Sequence, residues 1–214
     1  MNFSGFQQGG PWRWFMSDNF LETQFIQQLS DDFPENQLVL TERKVGSDKN
    51  YLCKQIKIYT EFDQASLNAL YLAPSWKRLI EIATAGEYKK SVENLIKIDL
   101  TNAHIEIILN QYYENCFMSV HTDRRPKLAT QLIYLSGELN QGLGGEFMIH
   151  DENGSVLHAI EPKVGRSVIF KRTEDSYHSV NMMHKKYKRN SIQIVFWESQ
   201  PSATPAGRII YSDK

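Results

Sequence analysis

Residues 104–135 read HIEIILNQYYENCFMSVHTDRRPKLATQLIYL, and this stretch decides the fold. The run from His104 to Leu109 is apolar and β-branched, and so is the run from Leu128 to Leu135. Between them stands His121-Thr122-Asp123. In a strand, residues i and i+2 project from the same face, so His121 and Asp123 can converge on one ion. An imidazole and a carboxylate fill two coordination positions. A facial triad needs one further histidine, which a distant strand can supply.

The same texture continues toward the C-terminus. Glu146 to His150, Val156 to Ile160, Ser167 to Phe170 and Ser191 to Trp197 are short β-rich runs. Turn residues separate them: Asn140-Gln141-Gly142, Gly144-Gly145, Asp151-Glu152-Asn153-Gly154 and Pro162-Lys163-Val164-Gly165. Many short strands with turn signals predict a sandwich, barrel or jelly roll. Gly142-Leu143-Gly144-Gly145 lacks the Gly-Lys-Ser/Thr ending of a phosphate loop and reads as the turn before a strand.

Toward the N-terminus the period is helical. Ser17 reads as an N-cap, with a helix from Asn19 carrying Phe20, Leu21, Phe25, Ile26 and Leu29 on one face until Pro34. Leu38 to Leu40 and Tyr51 to Tyr59 read as strands. Leu67 to Leu72, Trp76 to Ile82 and Tyr88 to Ile96 read as short helices, with Pro74 and Gly86 as breaks. The expected fold is therefore mainly β with helical support (α+β). It is one domain over 1–214, with a helical and strand support at 1–102, a jelly-roll core at 103–198 and a loosely packed polar tail at 199–214.

Composition narrows the function classes. The 214 residues are 41% hydrophobic with a formal net charge of -1, which gives no steering toward nucleic acid or an anionic membrane. No apolar run approaches the roughly 20 residues of a membrane span. The opening MNFSGFQQGGPWRWF lacks the basic-then-apolar order of a secretory signal. Cys53 and Cys116 are far apart in sequence, so a reduced cytoplasmic setting is the expectation, with Cys116 a buried inert thiol. Nothing in the residues sets an oligomeric state.

His178 lies 57 residues beyond His121, after the strand-like Ser167 to Phe170, and Arg189 follows eleven residues later at the start of the last strand-like run. A guanidinium on a buried strand needs a carboxylate partner. Ser191, two residues on, shares its strand face. His104, His150, His158 and His184 have no partner at ligand spacing and read as surface or satisfied core histidines. Trp197 reads as core.

In this order, the segment from about Leu109 to Trp197 resembles the catalytic core of the iron(II)/2-oxoglutarate oxygenases, most of all their prolyl-hydroxylase-like branch. The matching pieces are Tyr113, His121-Thr122-Asp123, Thr130 to Tyr134-Leu135, Gly144-Gly145-Glu146-Phe147, Pro162-Lys163-Val164-Gly165 to Phe170, His178 and Arg189. The resemblance implies a double-stranded β-helix with iron(II) on His121, Asp123 and His178. It implies 2-oxoglutarate held by Arg189 with Ser191, Tyr113 and Tyr134, and O2 as the second co-substrate.

It also places Arg124 and Arg125 at the rim of the site, where two guanidiniums can clamp a substrate carboxylate or phosphate. The expected reaction is hydroxylation of a small, anionic metabolite or amino acid with release of succinate and CO2. A small molecule is expected ahead of a protein substrate. Val195 stands where the nucleic-acid demethylase branch has a second Arg, which argues against base repair. Asp123 fills the position a halide would need, which argues against halogenation. Three readings stay open beside this one: a peptidyl prolyl hydroxylase, a non-catalytic metal- or sugar-binding jelly roll, and an iron enzyme that uses no 2-oxoglutarate.

Overall fold

In the computed structural model, residues 1–43, 49–63, 65–67, 70–136, 142–184, 187–201 and 208–210 are described. In chain order the elements are β1 (Gln7–Gly9), β2 (Trp14–Ser17), α1 (Thr23–Asp31), β3 (Val39–Arg43), β4 (Tyr51–Thr60), α2 (Pro74–Thr84) and α3 (Gly86–Ile96). Then come β5 (His104–Tyr112), β6 (Phe117–His121), β7 (Lys127–Tyr134), β8 (Phe147–His150), β9 (Val156–Ile160), β10 (Ser167–Lys171), β11 (His178–Val180), β12 (Arg189–Trp197) and β13 (Arg208–Ile210). Single 3-10 turns occupy Glu35–Gln37 and Ala65–Leu67.

All strand pairs are antiparallel, in the order β1-β2-β10-β7-β12-β5-β4-β6-β11-β8-β9, with β3 on β4 and β13 on β3. The sheet divides at β4, which pairs with β3 along one edge and, along the other, with the start of β6 at Tyr51 and Leu52 and with β5 from Lys54 onward. This is the expected jelly-roll architecture, mainly β with helices on one face.

Period-two alternation sorts the central strands. On β5, Ile105, Ile107 and Leu109 join the helix-side core, while Glu106, Ile108, Asn110 and Tyr112 line a cavity on the other face. On β12, Ile192, Ile194 and Phe196 face the helices, and Arg189, Ser191, Gln193, Val195 and Trp197 face the cavity. The helices contribute Phe25, Leu29, Trp76, Leu79, Val92 and Ile96 to that core. Trp76 is fully buried, and its indole donates to the Asp32 carbonyl at 2.7 Å, so its one polar atom is satisfied. A second cluster, including Tyr134, Phe147, Val168 and Phe170, packs between the curled layers.

The helices at Trp76 to Ile82 and Tyr88 to Ile96 form as expected, with Pro74 opening α2 at a position where its missing N–H costs nothing. Three local expectations are corrected. Ser17 is not an N-cap: it ends β2, opposite Ser167 of β10, and α1 begins only at Thr23. Phe20 and Leu21 are buried all the same, because the connection between β2 and α1 runs against the core. The Leu67 to Leu72 helix is replaced by the Ala65–Leu67 turn, with Leu70 to Leu72 outside any helix; residues 68 and 69 lie outside the described set. The tail is not all loose, since Arg208–Ile210 pairs with β3.

Asn140-Gln141 and most of the tail also fall outside the described residues. Cys53 and Cys116 are free and buried, and burial pushes the Cys53 thiol up to about 12. No helix among the described residues is long and apolar enough to cross a membrane.

Asp18 fastens the N-terminal segment to the turn before β10. Its carboxylate accepts from Arg166 Nε at 2.6 Å and Lys163 Nζ at 2.8 Å, and these partners hold it at about 2 against an ordinary 3.8. Asp18→Asn should lower stability at neutral pH by about 1 kcal/mol, allowing for its partial exposure. Because the folded value is the depressed one, the contribution is complete above the unfolded value and is lost as pH falls through about 2. Urea unfolding at pH 7, 5 and 2.5 checks this: the gap between variant and parent should hold at pH 5 and narrow at pH 2.5.

Candidate metal centre

The pairing of β11 with β6 puts His178 directly opposite His121. Their rings stand 4.3 Å apart between centroids. Asp123 follows β6 by two residues, and its Oδ1 lies 3.8 Å from His121 Nε2. The three potential ligand atoms all lie within 4.8 Å of one another, and no other such group of His, Cys, Asp or Glu occurs among the described residues.

The ring orientation of each histidine is fixed by the backbone. His121 Nδ1 lies 2.8 Å from the Ser119 carbonyl, and His178 Nδ1 lies 2.8 Å from the Ser176 carbonyl. With Nδ1–H donating to a carbonyl, each Nε2 keeps its lone pair for a metal. Burial lowers both pKa values, His178 to about 4 and His121 well below its usual range, so both imidazoles are neutral at physiological pH. For Asp123 burial opposes ionisation, but the neighbouring Lys127 ammonium and the other positive groups of the site outweigh it and hold the carboxyl well below the usual range. Lys127 donates to Asp123 Oδ1 at 2.8 Å and Thr130 to Oδ2 at 3.0 Å, which locks the carboxylate plane. Two neutral nitrogens, one anchored carboxylate oxygen and no fourth protein ligand among the described residues suit a divalent iron with open positions.

Beyond the triad lies a cavity of about 300 Å³, lined from β5, β7 and β12 on one wall and by Phe147, Phe170, His178 and Val180 on the other. Arg189 is 1% exposed, its guanidinium sandwiched by Tyr112 at 4.6 Å and Tyr134 at 5.0 Å. Its hydrogen bond among the described residues runs from Nη1 to the Gly145 carbonyl at 2.7 Å. Gly145 and Gly144 have φ of +82° and +80°. A Cβ on Gly144 would overlap the Met182 carbonyl, and one on Gly145 the Met183 sulfur. Two glycines are therefore required for this turn to approach Arg189.

Arg189 Nε, Ser191 Oγ and the Tyr134 hydroxyl are all buried without a hydrogen-bond partner among the described residues. Burial raises the Tyr134 pKa, so its hydroxyl stays a donor. Two unmet hydroxyls beside a buried guanidinium whose own Nε is unmet suit the distal carboxylate of a dicarboxylate such as 2-oxoglutarate.

Not every expected site residue is here. Tyr113 lies just past β5, on a different surface, with Lys54 Nζ 5.5 Å from its ring centroid. Its neighbour Tyr112 takes the cavity face, opposite Arg189 in register. Continuing the alternation from Glu106 would have selected Tyr112. Arg124 lines the cavity, but Arg125 does not: it points outward and pairs with Glu174 at 2.9 Å. Lys127 and Thr130 as holders of Asp123, Lys49 at 3.5 Å from His121 Nε2, and Trp197 on the cavity wall were not singled out from sequence. His150, buried and bonded to Gly154 and Ser179, is a satisfied core histidine.

Replacing His121, Asp123 or His178 by Ala should abolish iron-dependent turnover and weaken Fe(II) binding by at least two orders of magnitude, since each removes one of only three ligands. Anaerobic titration with Fe(II) reads the binding. Circular dichroism should show the β-rich spectrum retained, because the surrounding ladders do not depend on the ion.

Residues 107–197 match the family model described as 2OG-Fe(II) oxygenase superfamily. No curated protein matches the chain. Among solved structures, a Pseudomonas putida prolyl-4-hydroxylase is similar at TM-score 0.63 and 16% identity, covering 87% of this chain and 93% of that one. A Trichoplax adhaerens prolyl hydroxylase, solved with a hypoxia inducible factor oxygen degradation domain peptide fragment, gives 0.59 and 16%, over 86% and 83%. AviO1 from Streptomyces viridochromogenes Tue57 gives 0.59 and 14%, over 95% and 96%. At these identities the structural likeness speaks for the fold. The family match over residues 107–197, the jelly roll and the buried His-Asp-His cluster together support a 2OG-Fe(II) oxygenase, a kind of enzyme that uses iron(II), 2-oxoglutarate and O2, with His121, Asp123 and His178 as its possible iron site.

Proposed function

We propose that the chain hydroxylates a C–H bond of a small molecule that carries a negative charge, with iron on His121, Asp123 and His178. When bound, iron and 2-oxoglutarate together activate O2 and supply the oxidant for the substrate C–H, with succinate and CO2 released. The chain's own part is to bind, orient and exclude water. Arg189 takes the distal carboxylate of 2-oxoglutarate as a charge-assisted pair, with Ser191 and Tyr134 donating beside it. Leu132, Phe147, Phe170 and Val180 give the cavity its apolar lining. Lys127 and Thr130 keep Asp123 in place.

The observation that carries the substrate reading is the charge of the lining. Arg43, Lys49, Arg124, Lys127 and Arg189 face Glu106 and Asp123 there, an excess of positive charge in a chain whose net charge is -1. Such a lining favours anionic ligands. A peptidyl prolyl substrate is the competing reading, and its support is the likeness to prolyl hydroxylases. A screen that couples succinate release to a panel of anionic metabolites and of proline-containing peptides tests the two directly. Turnover with peptides alone would overturn the proposal.

Arg189→Ala should raise the 2-oxoglutarate requirement about a hundred- to a thousandfold, because truncating one partner of a buried charge pair costs about 3–5 kcal/mol. Fe(II) binding should persist; unchanged 2-oxoglutarate affinity would assign the carboxylate to another cation. With a substrate in hand, Arg124→Ala should raise its KM about tenfold, while Arg125→Ala should leave the kinetics unchanged, since Arg125 is engaged outside with Glu174. In excess chloride, mass spectrometry should find oxygenated and no chlorinated product, because Asp123 occupies the halide position.

A further inference from the structure

The triad and the Arg189 pocket leave one wall of the cavity unassigned, at the far end of β12. Trp197 lies on the same strand face as Arg189, about 26 Å of strand away. It lines the cavity at 5% exposure, and its indole N–H is buried without a hydrogen-bond partner among the described residues. Buried donors in folded proteins are almost always paired, so an unmet one in a cavity wall asks for an acceptor from a ligand.

Opposite Trp197 in the β7–β12 ladder stands Lys127, 7% exposed, with Nζ 5.3 Å from the Trp197 ring centroid. An ammonium has three N–H donors, and the bond to Asp123 Oδ1 at 2.8 Å uses one. Lysine is almost never this deeply buried without compensation. Thr130 faces the same corner but is committed to Asp123 Oδ2, and Val195 offers no polar group. Glu106 faces it from β5, with Lys57 bound to its Oε2 at 2.6 Å, so its charge is met from the rim. Apart from the carboxylates of Asp123 and Glu106, each held by its own lysine, the polar groups this corner turns to a ligand are N–H donors.

We propose that Lys127 and Trp197 form the subsite for a carboxylate of the substrate, with the ammonium supplying charge and the indole N–H a directional bond. The inference rests on the anionic-substrate reading and adds the residues and the kind of anion. A carboxylate is the fitting group because its two oxygens can take one donor each. Anchored there, the substrate lies against the Asp123 side of the triad, away from the Arg189 end. The subsite's contact with Asp123 also limits reach: the oxidised carbon is within a few bonds of the carboxylate.

The test uses the full chain loaded with Zn(II) and 2-oxoglutarate, which is diamagnetic and does not turn over. The tryptophans carry 15N, and Trp197→Phe assigns the indole resonance while keeping a ring beneath Lys127. Acetate should shift that resonance in a saturable manner, acetamide should not, and Trp197→Phe should weaken acetate binding about tenfold by calorimetry with 2-oxoglutarate affinity unchanged. Lys127→Met is avoided as the primary variant because Lys127 also holds Asp123.

An equal response to acetamide overturns the carboxylate assignment in favour of an uncharged carbonyl. If acetate binds, the Trp197 resonance stays still and Arg124→Gln removes the binding, the subsite is wrong while the anionic reading stands. If neither acetate nor inorganic phosphate binds, both are overturned.

Discussion

The structure depends on one constraint: β12 is hydrogen-bonded along nearly its whole length to β5 on one edge and β7 on the other, and it is covered on both faces. Strands placed in this way must divide their side chains strictly, since a slip of one residue would exchange the faces. Ile192, Ile194 and Phe196 would then meet the polar cavity, and Arg189 and Ser191 would enter the helix-side core. The helices are therefore more than a support. By demanding an apolar face they fix the register that delivers the functional side chains to the other face, in a fixed order from Arg189 to Trp197.

That order gives the cavity two chemically different ends around one metal centre. At one end a guanidinium is buried between two tyrosine rings, with a backbone carbonyl and no carboxylate as its partner among the described residues. A charge so placed is costly on its own, and an anionic ligand would offset that cost. The triad stands in contrast, because its charges are arranged before any ligand enters. The imidazoles are kept neutral by burial and the carboxylate is kept ionised by Lys127. No proton has to leave before the metal binds at neutral pH, which is what pre-organisation means at this site.

Much of this was legible in the sequence, for a physical reason. The triad and Arg189 sit on or beside strands with period-two patterning, so parity alone tells which residues share a face. His121 and Asp123 were readable two apart, and the family order supplied His178. Reading failed where parity was not carried through or where a partner came from elsewhere. Tyr113 was selected by likeness of order, although counting from Glu106 leads to Tyr112. Arg124 and Arg125 are adjacent in sequence, but neighbours in an extended chain point apart, and Glu174 holds Arg125 outside. The strand ending at Ser17 was hidden because a serine before a buried Phe-Leu pair looks like a helix cap, and only its pairing with β10 shows otherwise.

Trp197 is buried, as expected, and also lines the cavity. A tryptophan at the end of an apolar strand is most economically read as core, and by burial alone that reading is right. A buried indole N–H can be paired within the protein or left without a partner. Trp76 illustrates the first case, with its indole donating to Asp32 in the helix-side core. Trp197 illustrates the second, with its donor unmet beside Lys127. The same distinction separates His150, bonded through both ring nitrogens, from His121 and His178, each anchored through Nδ1 with Nε2 turned toward the triad. Among the buried polar groups without a partner in the described residues, Arg189 Nε, Ser191 Oγ and Trp197 Nε1 belong to residues that line the cavity and the Tyr134 hydroxyl to a ring against Arg189, while Trp12 Nε1, Gln111 Oε1 and Thr173 Oγ1 belong to residues that do not line it.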